Sequence, residues 1–283
     1  MHSTIDEKTA WKLLLALTSP AHARADRTDR SLGSRSTDGH RLGVEPTGAW
    51  QASSPTTREA SDLLDLLVPL QTLGTWAVGQ LGQSLDGRIA TETGHSHYVT
   101  GPEDIRRLHR VRALADAVVV GASTVAIDDP RLTVREVDGE NPVRVVLDPN
   151  ARLQFDRTLF RDGAADTLVV RSAGVRAPPP PRPAEVVYLP SDGPYGFDPH
   201  ATLRMLRSRG LERVLVEGGG VTVSRFLQAG ALDRLHVAVA PLLIGSGRPS
   251  LTLDSVATLG QALRPPCRHF QLGRDILFDL DLT

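Results

Sequence analysis

The sequence of 283 residues predicts an α/β domain with a largely parallel sheet over residues 72–283, preceded by an N-terminal extension over residues 1–71. Three observations lead to this prediction. Short runs rich in β-branched residues alternate with helical stretches after residue 72. Several of these runs are continuously apolar, which is typical of strands covered on both faces. The composition also changes near residue 60, where a polar segment ends.

The N-terminal extension is expected to be partly disordered, with short helices. From Thr18 to Ala60 the chain is rich in Ser, Thr, Arg, Asp and Gly. Such a segment buries too little apolar surface to offset the entropy lost on ordering, so we predict a flexible loop or tail there. Two apolar pieces, Trp11–Leu17 and Leu63–Leu70, bracket it and predict the helices.

Eight short runs after residue 72 are predicted strands, because most are rich in apolar and β-branched residues. They are Thr75–Leu81, Ala117–Gly121, Val143–Leu147, Thr167–Val170, Glu185–Leu189, Arg213–Glu217, Leu235–Ala240 and Ile276–Leu280. The last is expected to run antiparallel and to finish the sheet.

Helix signals lie between the strands. Thr100 and Glu103 have the spacing of a capping box, with Pro102 in the first turn. The apolar residues that follow are expected on one broad helix face. They are Ile105, Leu108, Val111 and Leu114. A second helix is predicted to begin after Asp198 and to end at Gly210.

The composition excludes several classes of function. A formal net charge of −1 argues against a nucleic-acid-binding or membrane-surface role for the whole chain. The lone Cys267 rules out an internal disulfide and a thiolate metal cluster. His95 and His97 lack a third ligand at fixed spacing, so no metal is expected. No apolar run reaches the roughly 18 residues of a membrane span, so we expect a cytoplasmic protein.

The most distinctive local pattern runs from Val214 to Gly220, where a predicted strand leads into Glu217 and three glycines and then into a helix. Glycines allow close approach of a ligand, and the free amides of a helix N-terminus attract phosphate. The spacing matches neither the dinucleotide fingerprint nor the Walker loop. A simple flexible turn explains the glycines about equally well.

A second pattern runs from Gly121 to Arg135, where a predicted strand again ends at a glycine and hydroxyls, two acids and arginines follow. Arg112 and Arg135 are candidates to converge on one phosphate, although two ordinary surface arginines are the simpler interpretation. Ser84–Gly87 has the form of a tight turn. From the residues alone, the sequence indicates an α/β enzyme with two or three turns suited to anions.

These patterns, in this order, resemble the reductase domain of bacterial riboflavin biosynthesis, from about residue 72 to the C-terminus. The matching motifs are Ser84–Gly87, Ser96 with Tyr98–Thr100, Arg112-Ala113, Thr124–Arg135, Glu217–Gly220, Pro241–Gly245 with Gly247, and Gly273–Asp275. The resemblance implies the dihydrofolate-reductase-like fold and the NADPH-dependent reduction of 5-amino-6-(5-phosphoribosylamino)uracil.

Matched positions imply the roles of individual residues. The implied substrate contacts are Ser96, Arg112, Leu132, Arg135 and Glu217. The implied cofactor contacts are Gly82, Tyr98, Thr124, Asp128, Gly218, Gly219, Gly220, Val221, Thr222, Val223, Ser224 and Arg225. Asp128 and Glu217 are the candidate catalytic residues. Hydride would pass from nicotinamide C4 to the sugar C1′, which depends on positioning and exclusion of water more than on a strong base.

The sequence also differs from the resemblance in three places. Residues 1–71 lack the zinc-binding His and Cys pattern of the deaminase domain that often precedes this reductase. Gln80 replaces a frequent lysine, and Pro149 replaces a frequent serine whose hydroxyl would hold the cofactor's 2′-phosphate. Only a modest preference for NADPH over NADH is therefore expected.

Alternative functions remain open on the sequence. One is a catalytically silent nucleotide-binding paralogue that acts as a regulator or scaffold, and another is a reductase of a related pyrimidine or pterin-like substrate. A folate reductase shares the fold, but paired arginines suit a phosphate better than a pterin. A homodimer is expected from the resemblance and from the apolar strand Ile276–Leu280, whose edge would otherwise stay open.

Overall fold

The computed structural model describes residues 4–17, 32–37, 39–45, 48–97, 99–181, 183–191 and 196–283. The chain divides after Trp76 into two compact units, the N-terminal unit (residues 1–76) and the C-terminal unit (residues 77–283). The boundary expected from the sequence lies a few residues earlier, after residue 71.

The N-terminal unit contains two helices, α1 (Glu7–Ala16) and α2 (Arg58–Thr72), which pack against each other. Helix α1 begins at Asp6, whose carboxylate accepts a hydrogen bond from the Thr9 N–H. Both apolar pieces of the extension lie largely within these helices and supply buried leucines to the contact between them.

A small antiparallel sheet joins the two helices in sequence, within a segment for which the composition predicts a loop. Its strands are β1 (Leu32–Thr37), β2 (His40–Val44) and β3 (Trp50–Ala52), in that order. Along β2, His40, Leu42 and Val44 are buried in alternation. This period of two is a strand signal that the polar composition of the segment obscures.

The C-terminal unit is built on a nine-stranded sheet whose first strand begins at Trp76. Its strands are β4 (Trp76–Ser84), β6 (Ala117–Gly121), β7 (Val143–Leu147), β8 (Thr167–Ser172), β9 (Glu185–Leu189), β10 (Arg213–Val216), β11 (Arg234–Ala240), β13 (Cys267–Leu272) and β14 (Asp275–Asp281). They lie in the order β13-β14-β11-β4-β10-β6-β7-β8-β9.

The pairing directions confirm the predicted architecture. Strands β6 to β9 pair in parallel, as do β10 with β6 and β11 with β4. Strand β14 is antiparallel to β11, as expected for the end of the sheet. Each of the eight runs predicted from the sequence overlaps one of these strands.

Three strands of the C-terminal unit were not predicted. Strands β5 (Arg88–Thr91) and β12 (Gly247–Pro249) form a separate two-stranded ribbon. Strand β13 pairs only with β14 and is the edge of the large sheet. Its residues are mostly exposed and polar, so the apolar signal of a buried strand is missing.

Helix α3 (Pro102–Leu114) differs from its prediction at its start. It begins at Gly101 with no capping side chain, so the predicted capping box of Thr100 and Glu103 is wrong. The Gly101 N–H instead donates to the carboxylate of Asp275, at 2.6 Å. A partner 174 residues away replaces the local cap.

The buried face of α3 is also more polar than its apolar residues indicate. Ile105 and Leu108 are only partly buried, whereas Asp104 and Arg107 are each 2% exposed. The Arg107 guanidinium contacts Asp104 at 2.7 Å, donates to Gln80 at 2.6 Å and lies 3.2 Å from Nδ1 of His236. Gln80 therefore has a buried structural partner in Arg107.

Four further α-helices lie in the part of the unit that the structure describes: α4 (Ala122–Asp128), α5 (Thr158–Arg161), α6 (Pro199–Ser208) and α7 (Gly220–Gln228). The prediction for α6 is confirmed, because Asp198 accepts from the His200 N–H at its start. Helices α6 and α7 supply Leu203, Leu206 and Phe226 to the core formed with the central strands.

Candidate active site

A cleft in the C-terminal unit lies beyond the carboxyl ends of its parallel strands. Residues that follow β6, β7 and β10 line it, including Ala122–Thr124, Asp148-Pro149 and Gly219–Thr222, and its volume is about 460 Å³. Ligands of open α/β sheets bind at this edge, because loops there converge from several strands. The cleft is the candidate cofactor site.

Two of the three glycines after Glu217, Gly218 and Gly220, are required by their surroundings. Gly218 has a φ of +117°, which side chains rarely adopt. A Cβ on Gly220 would overlap the carbonyl oxygens of Pro249 and Ser250. The Gly219 N–H donates to Oγ1 of Thr124 at 2.9 Å. The loop therefore has a fixed conformation that delivers the start of α7 to the cleft.

The start of α7 offers donors to an anion. The first N–H groups of a helix have no acceptor within the helix, and the helix dipole makes this end positive. No side chain caps α7 at Gly219. Val221 is 67% exposed, and Ile127 of α4 is 50% exposed. Both line the cleft, so apolar walls for a flat ring lie beside the donors.

Ser96 and Asp128 meet at the same cleft. The Ser96 hydroxyl donates to the Asp128 carboxylate at 2.8 Å, and both residues line the cleft. Asp128 is the last residue of α4, so the helix that follows β6 carries it to this position. A residue assigned to the substrate and one assigned to the cofactor are thus in direct contact.

Arg112 and Glu217 form a buried ion pair. Nε and Nη2 of Arg112 donate to the two carboxylate oxygens of Glu217, at 2.7 and 2.8 Å. Burial lowers the pKa of Arg112, but the Glu217 carboxylate raises it, and the net shift is upward. Arg112 is therefore a buried, paired residue, and its interpretation as an ordinary surface arginine is wrong.

Arg135 lies next to this pair. Its Nη1 donates to the carbonyl oxygen of Thr133 at 3.3 Å, and Nη1 of Arg112 donates to the same oxygen at 3.2 Å. Burial, together with the charges of Arg112 and Arg131, lowers the pKa of Arg135. Two guanidinium groups that share one oxygen repel each other, and an anion bound between them would relieve this repulsion.

Not every residue assigned from the sequence lines the cleft. Gly82 packs against Thr100, where a Cβ would come within 2.9 Å of its methyl group. Val223 is buried in the core, and Oγ of Ser224 accepts from the Thr252 N–H. Leu132 is 2% exposed. After Gly220, the residues of α7 that line the cleft are Val221, Thr222, Arg225 and Phe226.

The position of Tyr98 lies outside the described residues. Four residues that the resemblance assigns to the substrate are not among those that line the cleft. They are Arg112, Leu132, Arg135 and Glu217. Glu217 directly precedes the glycine loop, however, and Gly219 binds Thr124. This geometry gives two adjoining regions. One is the cleft, and the other is a cationic region formed by Arg112 and Arg135 beside it.

Two arginines of the cleft were not found from the sequence. Arg152 follows β7 and Arg248 belongs to β12, and both line the cleft. The carboxylate of Asp148 accepts from the N–H groups of Arg152 and Leu153, each at 3.0 Å, so it is occupied by backbone. The location of Arg152 shortly after a parallel strand was an available signal. For Arg248 the sequence contains no such signal, because its strand β12 pairs with β5, which lies far away in the sequence.

Comparison with known proteins agrees with this geometry. The family model described as the RibD C-terminal domain matches residues 75–276. The chain belongs to this family. Within the described residues, no helix is both long and apolar enough to cross a membrane.

Relatives of the RibD C-terminal domain family include single reductases and longer proteins. The chain is 37% identical over 206 residues to 2,5-diamino-6-ribosylamino-4(3H)-pyrimidinone 5′-phosphate reductase of Methanothermobacter thermautotrophicus, covering 69% of this chain and 93% of the relative. It is 33% identical over 216 residues to riboflavin biosynthesis protein RibD of Mycobacterium tuberculosis, and spans 53% of that protein.

Solved structures of the family share the fold. Acinetobacter baumannii RibD has a TM-score of 0.61 at 26% identity, covering 81% of this chain and 65% of that chain. The riboflavin biosynthesis reductase Rib7 of Saccharomyces cerevisiae has a TM-score of 0.60 at 20% identity, covering 74% and 90%. The family resemblance and the α/β fold class predicted from the sequence are confirmed.

Proposed function

We propose that this protein is an NADPH-dependent reductase of a ribosylamino-pyrimidine 5′-phosphate in riboflavin biosynthesis. The observation that carries the proposal is the convergence of Arg112 and Arg135 on the carbonyl oxygen of Thr133, next to the cleft. Paired guanidinium groups suit a phosphate, whose oxygens accept their parallel N–H groups. The family relationship supports the same assignment, because relatives are named as reductases of such a substrate.

The cleft fits a nicotinamide dinucleotide. The start of α7 offers backbone donors to the pyrophosphate, and Ile127 and Val221 offer apolar walls to a ring. Arg152, Arg225 and Arg248 bring positive charge to the same cleft. Asp148 is held by backbone amides, so it does not occupy the role of the acidic residue that selects NADH through a ribose hydroxyl.

The arginines of the cleft favour NADPH over NADH. Pro149 offers no hydroxyl to the 2′-phosphate, and on the sequence alone only a modest preference is expected. Arg152 lies in the same loop, and a guanidinium is a stronger partner for phosphate than a hydroxyl. We therefore propose NADPH as the cofactor, with Arg152 as a contact to its 2′-phosphate.

The chemistry supplied by the bound cofactor is hydride transfer to C1′ of the ribosyl group. The protein's own residues would orient the two ligands. Arg112 and Arg135 would bind the 5′-phosphate, and Glu217 would hold Arg112 in place through both carboxylate oxygens. Ser96 and Asp128 form a hydrogen-bonded pair that faces the cleft and is available to polar groups of the ligands. This arrangement acts by positioning.

An assay with purified protein tests the proposal. We expect NADPH oxidation with 5-amino-6-(5-phosphoribosylamino)uracil or with its 2,5-diamino-pyrimidinone counterpart, and a ribityl product in either case. Comparison of kcat/KM for the two substrates identifies the physiological one. Dephosphorylated substrates should react poorly, because the cationic region would have no anion to bind. Tight NADPH binding without turnover of either substrate would favour the catalytically silent paralogue instead.

We also propose a homodimer, through a different surface from the one expected. Strand β14 lies between β11 and β13, so the Ile276–Leu280 strand is not an open edge, and that part of the expectation is wrong. Its outward face is nevertheless apolar: Ile276 is 39% exposed and Phe278 is 38% exposed. A second copy of the chain covering this face, beside the β13 edge, would remove both side chains from water.

A further inference from the structure

The segment that carries Arg135 has an irregular conformation. It runs from Asp129 to Glu136, between α4 and β7, and contains no helix or strand. Asp129 has a φ of 41° and Leu132 a φ of 57°. The left-handed region is costly for residues with a Cβ, and such conformations persist only when the surroundings enforce them. The segment therefore needs contacts that hold it.

Several side chains outside the segment supply these contacts. The Asp129 carboxylate accepts from both the N–H and the hydroxyl of Thr158, each at 2.7 Å. Further along, the side-chain oxygen of Asn141 accepts from the Val134 N–H at 2.7 Å. The Arg112 guanidinium donates to the Thr133 carbonyl. Each contact fixes backbone on the amino-terminal side of Arg135.

His109 of α3 holds the backbone at Arg135 itself. Its Nδ1 lies 2.8 Å from the Arg135 nitrogen and 3.4 Å from the Glu136 nitrogen, and it accepts from both N–H groups. The His109 side chain is buried, with 2% of the residue exposed. An Nδ1 that accepts carries no proton, so the imidazole is neutral with its proton on Nε2.

The surroundings keep His109 in this form. Burial, and then the charges of Arg112 and Arg135, lower the pKa of His109 to about 3. The ring therefore remains an acceptor at neutral pH. A positively charged imidazole would replace the acceptor with a donor facing two N–H groups, and would add a third cation beside the arginines.

We propose that His109 is a positioning residue for the substrate phosphate, because it fixes the backbone from which the Arg135 side chain extends. The inference rests on the proposed function, in which Arg135 binds that phosphate. Arg112 lies three residues after His109 and on the same side of α3. One helix thus places both guanidinium groups, Arg112 directly and Arg135 through the imidazole.

Two substitutions of His109 test separately the hydrogen-bond acceptor and the volume of the ring. His109→Phe keeps an aromatic ring but removes the acceptor, and His109→Gln retains a neutral carbonyl acceptor. We expect His109→Phe to raise KM for the phosphorylated substrate roughly tenfold, the size of one lost hydrogen bond, with kcat and the NADPH Kd within about twofold. His109→Gln should recover most of the loss. His200→Phe on α6 is the matched control and should leave KM unchanged.

A double-mutant cycle with Arg135→Ala distinguishes positioning from a general structural role. If His109 acts through Arg135, adding His109→Phe to Arg135→Ala should raise KM little further. Additive effects on KM would overturn the proposal, because they would mean that His109 affects the site by another route. A wild-type KM for His109→Phe would overturn it as well.

Hydrogen exchange and a simple ligand test the proposal separately from turnover. In the wild-type protein the Arg135 and Glu136 amides should be protected, and His109→Phe should release them while His109→Gln should not. Ribose 5-phosphate should bind the His109→Phe variant more weakly than it binds the wild type. Ribose, which has no phosphate, should show no such difference. Unchanged amide protection would overturn the proposal. Absence of turnover in a wild type that shows these effects would count against the proposed function alone.

Discussion

Arg112 and Arg135 share an acceptor, but their surroundings give them different roles. Arg112 is buried and is held by both oxygens of Glu217. Arg135 is more exposed, and its guanidinium donates to the carbonyl and hydroxyl oxygens of Thr133. Glu217 already balances the charge of Arg112, so the uncompensated charge of the pair resides on Arg135. Substitution of Arg135 should therefore report on the anion more directly than substitution of Arg112.

Arg135→Ala is expected to raise KM for the phosphorylated substrate by roughly ten- to a hundredfold, since a charge-assisted hydrogen bond contributes about 1.5–3 kcal/mol. The effect on kcat should be smaller if the contact is equal in the ground and transition states. The NADPH Kd should barely change. Steady-state kinetics and cofactor titration measure these quantities.

Arg176→Ala is the matched control, because Arg176 is an exposed arginine in a loop that does not line the cleft. It should alter neither KM nor the melting temperature. A normal KM for Arg135→Ala would remove Arg135 from the site, and with it most of the case for a sugar phosphate.

Gly219 and Gly220 are expected to respond differently to substitution. A Cβ on Gly219 meets only Oγ1 of Thr124, at 3.4 Å, whereas one on Gly220 overlaps backbone. Gly219→Val should therefore fold and weaken NADPH binding by about tenfold or more, because a branched side chain blocks approach to the helix start. Isothermal titration measures the Kd, with Gly174→Val in an open loop as control. Unchanged affinity would make the loop a plain turn.

At the scale of elements, a buried charged layer connects α3 to the C-terminal strands of the sheet. Asp279 of β14 is paired with Arg234 of β11 and with Arg268 of β13, at 2.7 and 2.8 Å. His236 lies 3.4 Å from the same carboxylate and 3.2 Å from Arg107 of α3. Because the side chain of Asp279 is fully buried, the layer depends on each charge keeping its partners.

Asp279→Ala should destabilise the protein by about 3–5 kcal/mol, because it removes two buried hydrogen bonds of Arg234, which then keeps only the 3.3 Å contact with Asp281. Asp281→Ala on the same strand is the matched control. Its side chain is 38% exposed, so the loss should be about 1 kcal/mol or less. Denaturant unfolding measures both. An equal loss of unfolding free energy in the two variants would show that burial does not increase the contribution of Asp279 to stability.

The same carboxylate predicts a dependence of stability on pH. Burial alone would raise the pKa of Asp279, but hydrogen bonds from His236 and Arg234 and the charge of Arg234 outweigh it, and the net shift is downward. Its contribution to stability is thus present above the unfolded pKa of about 3.9 and is lost as the pH falls through the folded value. The difference in stability between wild type and Asp279→Ala should shrink below about pH 4.

At the scale of the whole molecule, the chain consists of two compact units that divide after Trp76. The cleft is lined by residues from Ile89 onward. A cut at Ser61, near the end of the polar segment, would fall within α2, which begins at Arg58. A truncated chain that starts after α2 therefore tests better whether the C-terminal unit folds by itself.

A chain of residues 74–283 is expected to remain soluble, to unfold in one cooperative transition and to bind NADPH. It contains every strand of the large sheet and every residue that lines the cleft. It loses the Leu70 carbonyl that accepts from the Trp76 indole, at a cost of about 1 kcal/mol. Calorimetry and cofactor titration against the full chain measure the outcome. Aggregation or loss of the transition would contradict the expectation.

The proposed homodimer predicts the effect of a charge on its apolar face. Phe278→Asp should shift the protein from dimer to monomer in sedimentation at micromolar concentration, because a desolvated carboxylate opposes association. Tyr188→Asp is the matched control, since Tyr188 is 51% exposed on β9 at the opposite edge of the sheet. A wild type that is monomeric at micromolar concentration would contradict the dimer itself.

Local sequence patterns determined the fold class and the location of eight strands along the chain. Continuous apolar runs such as Ala117–Gly121 mark strands covered on both faces, and this strand pairs in parallel with both of its neighbours as expected. Asp198 and Gly210 bound α6 through short-range hydrogen bonding and a positive φ of +80°. These features depend on neighbours within a few residues, so the sequence alone contains the information that specifies them.

Only the tertiary structure decided how the candidate site is assembled. The Arg112–Glu217 pair joins residues 105 positions apart, and His109 reaches Arg135 across 26 positions. The Gly101–Asp275 contact spans 174 positions and replaces a cap that the local pattern favoured. Side-chain partners of this kind are set by which elements pack together, and periodicity and spacing carry no record of that packing. The sequence therefore proposed candidate residues for the site, while their partners, and with them their charges and freedom to bind, followed from the fold.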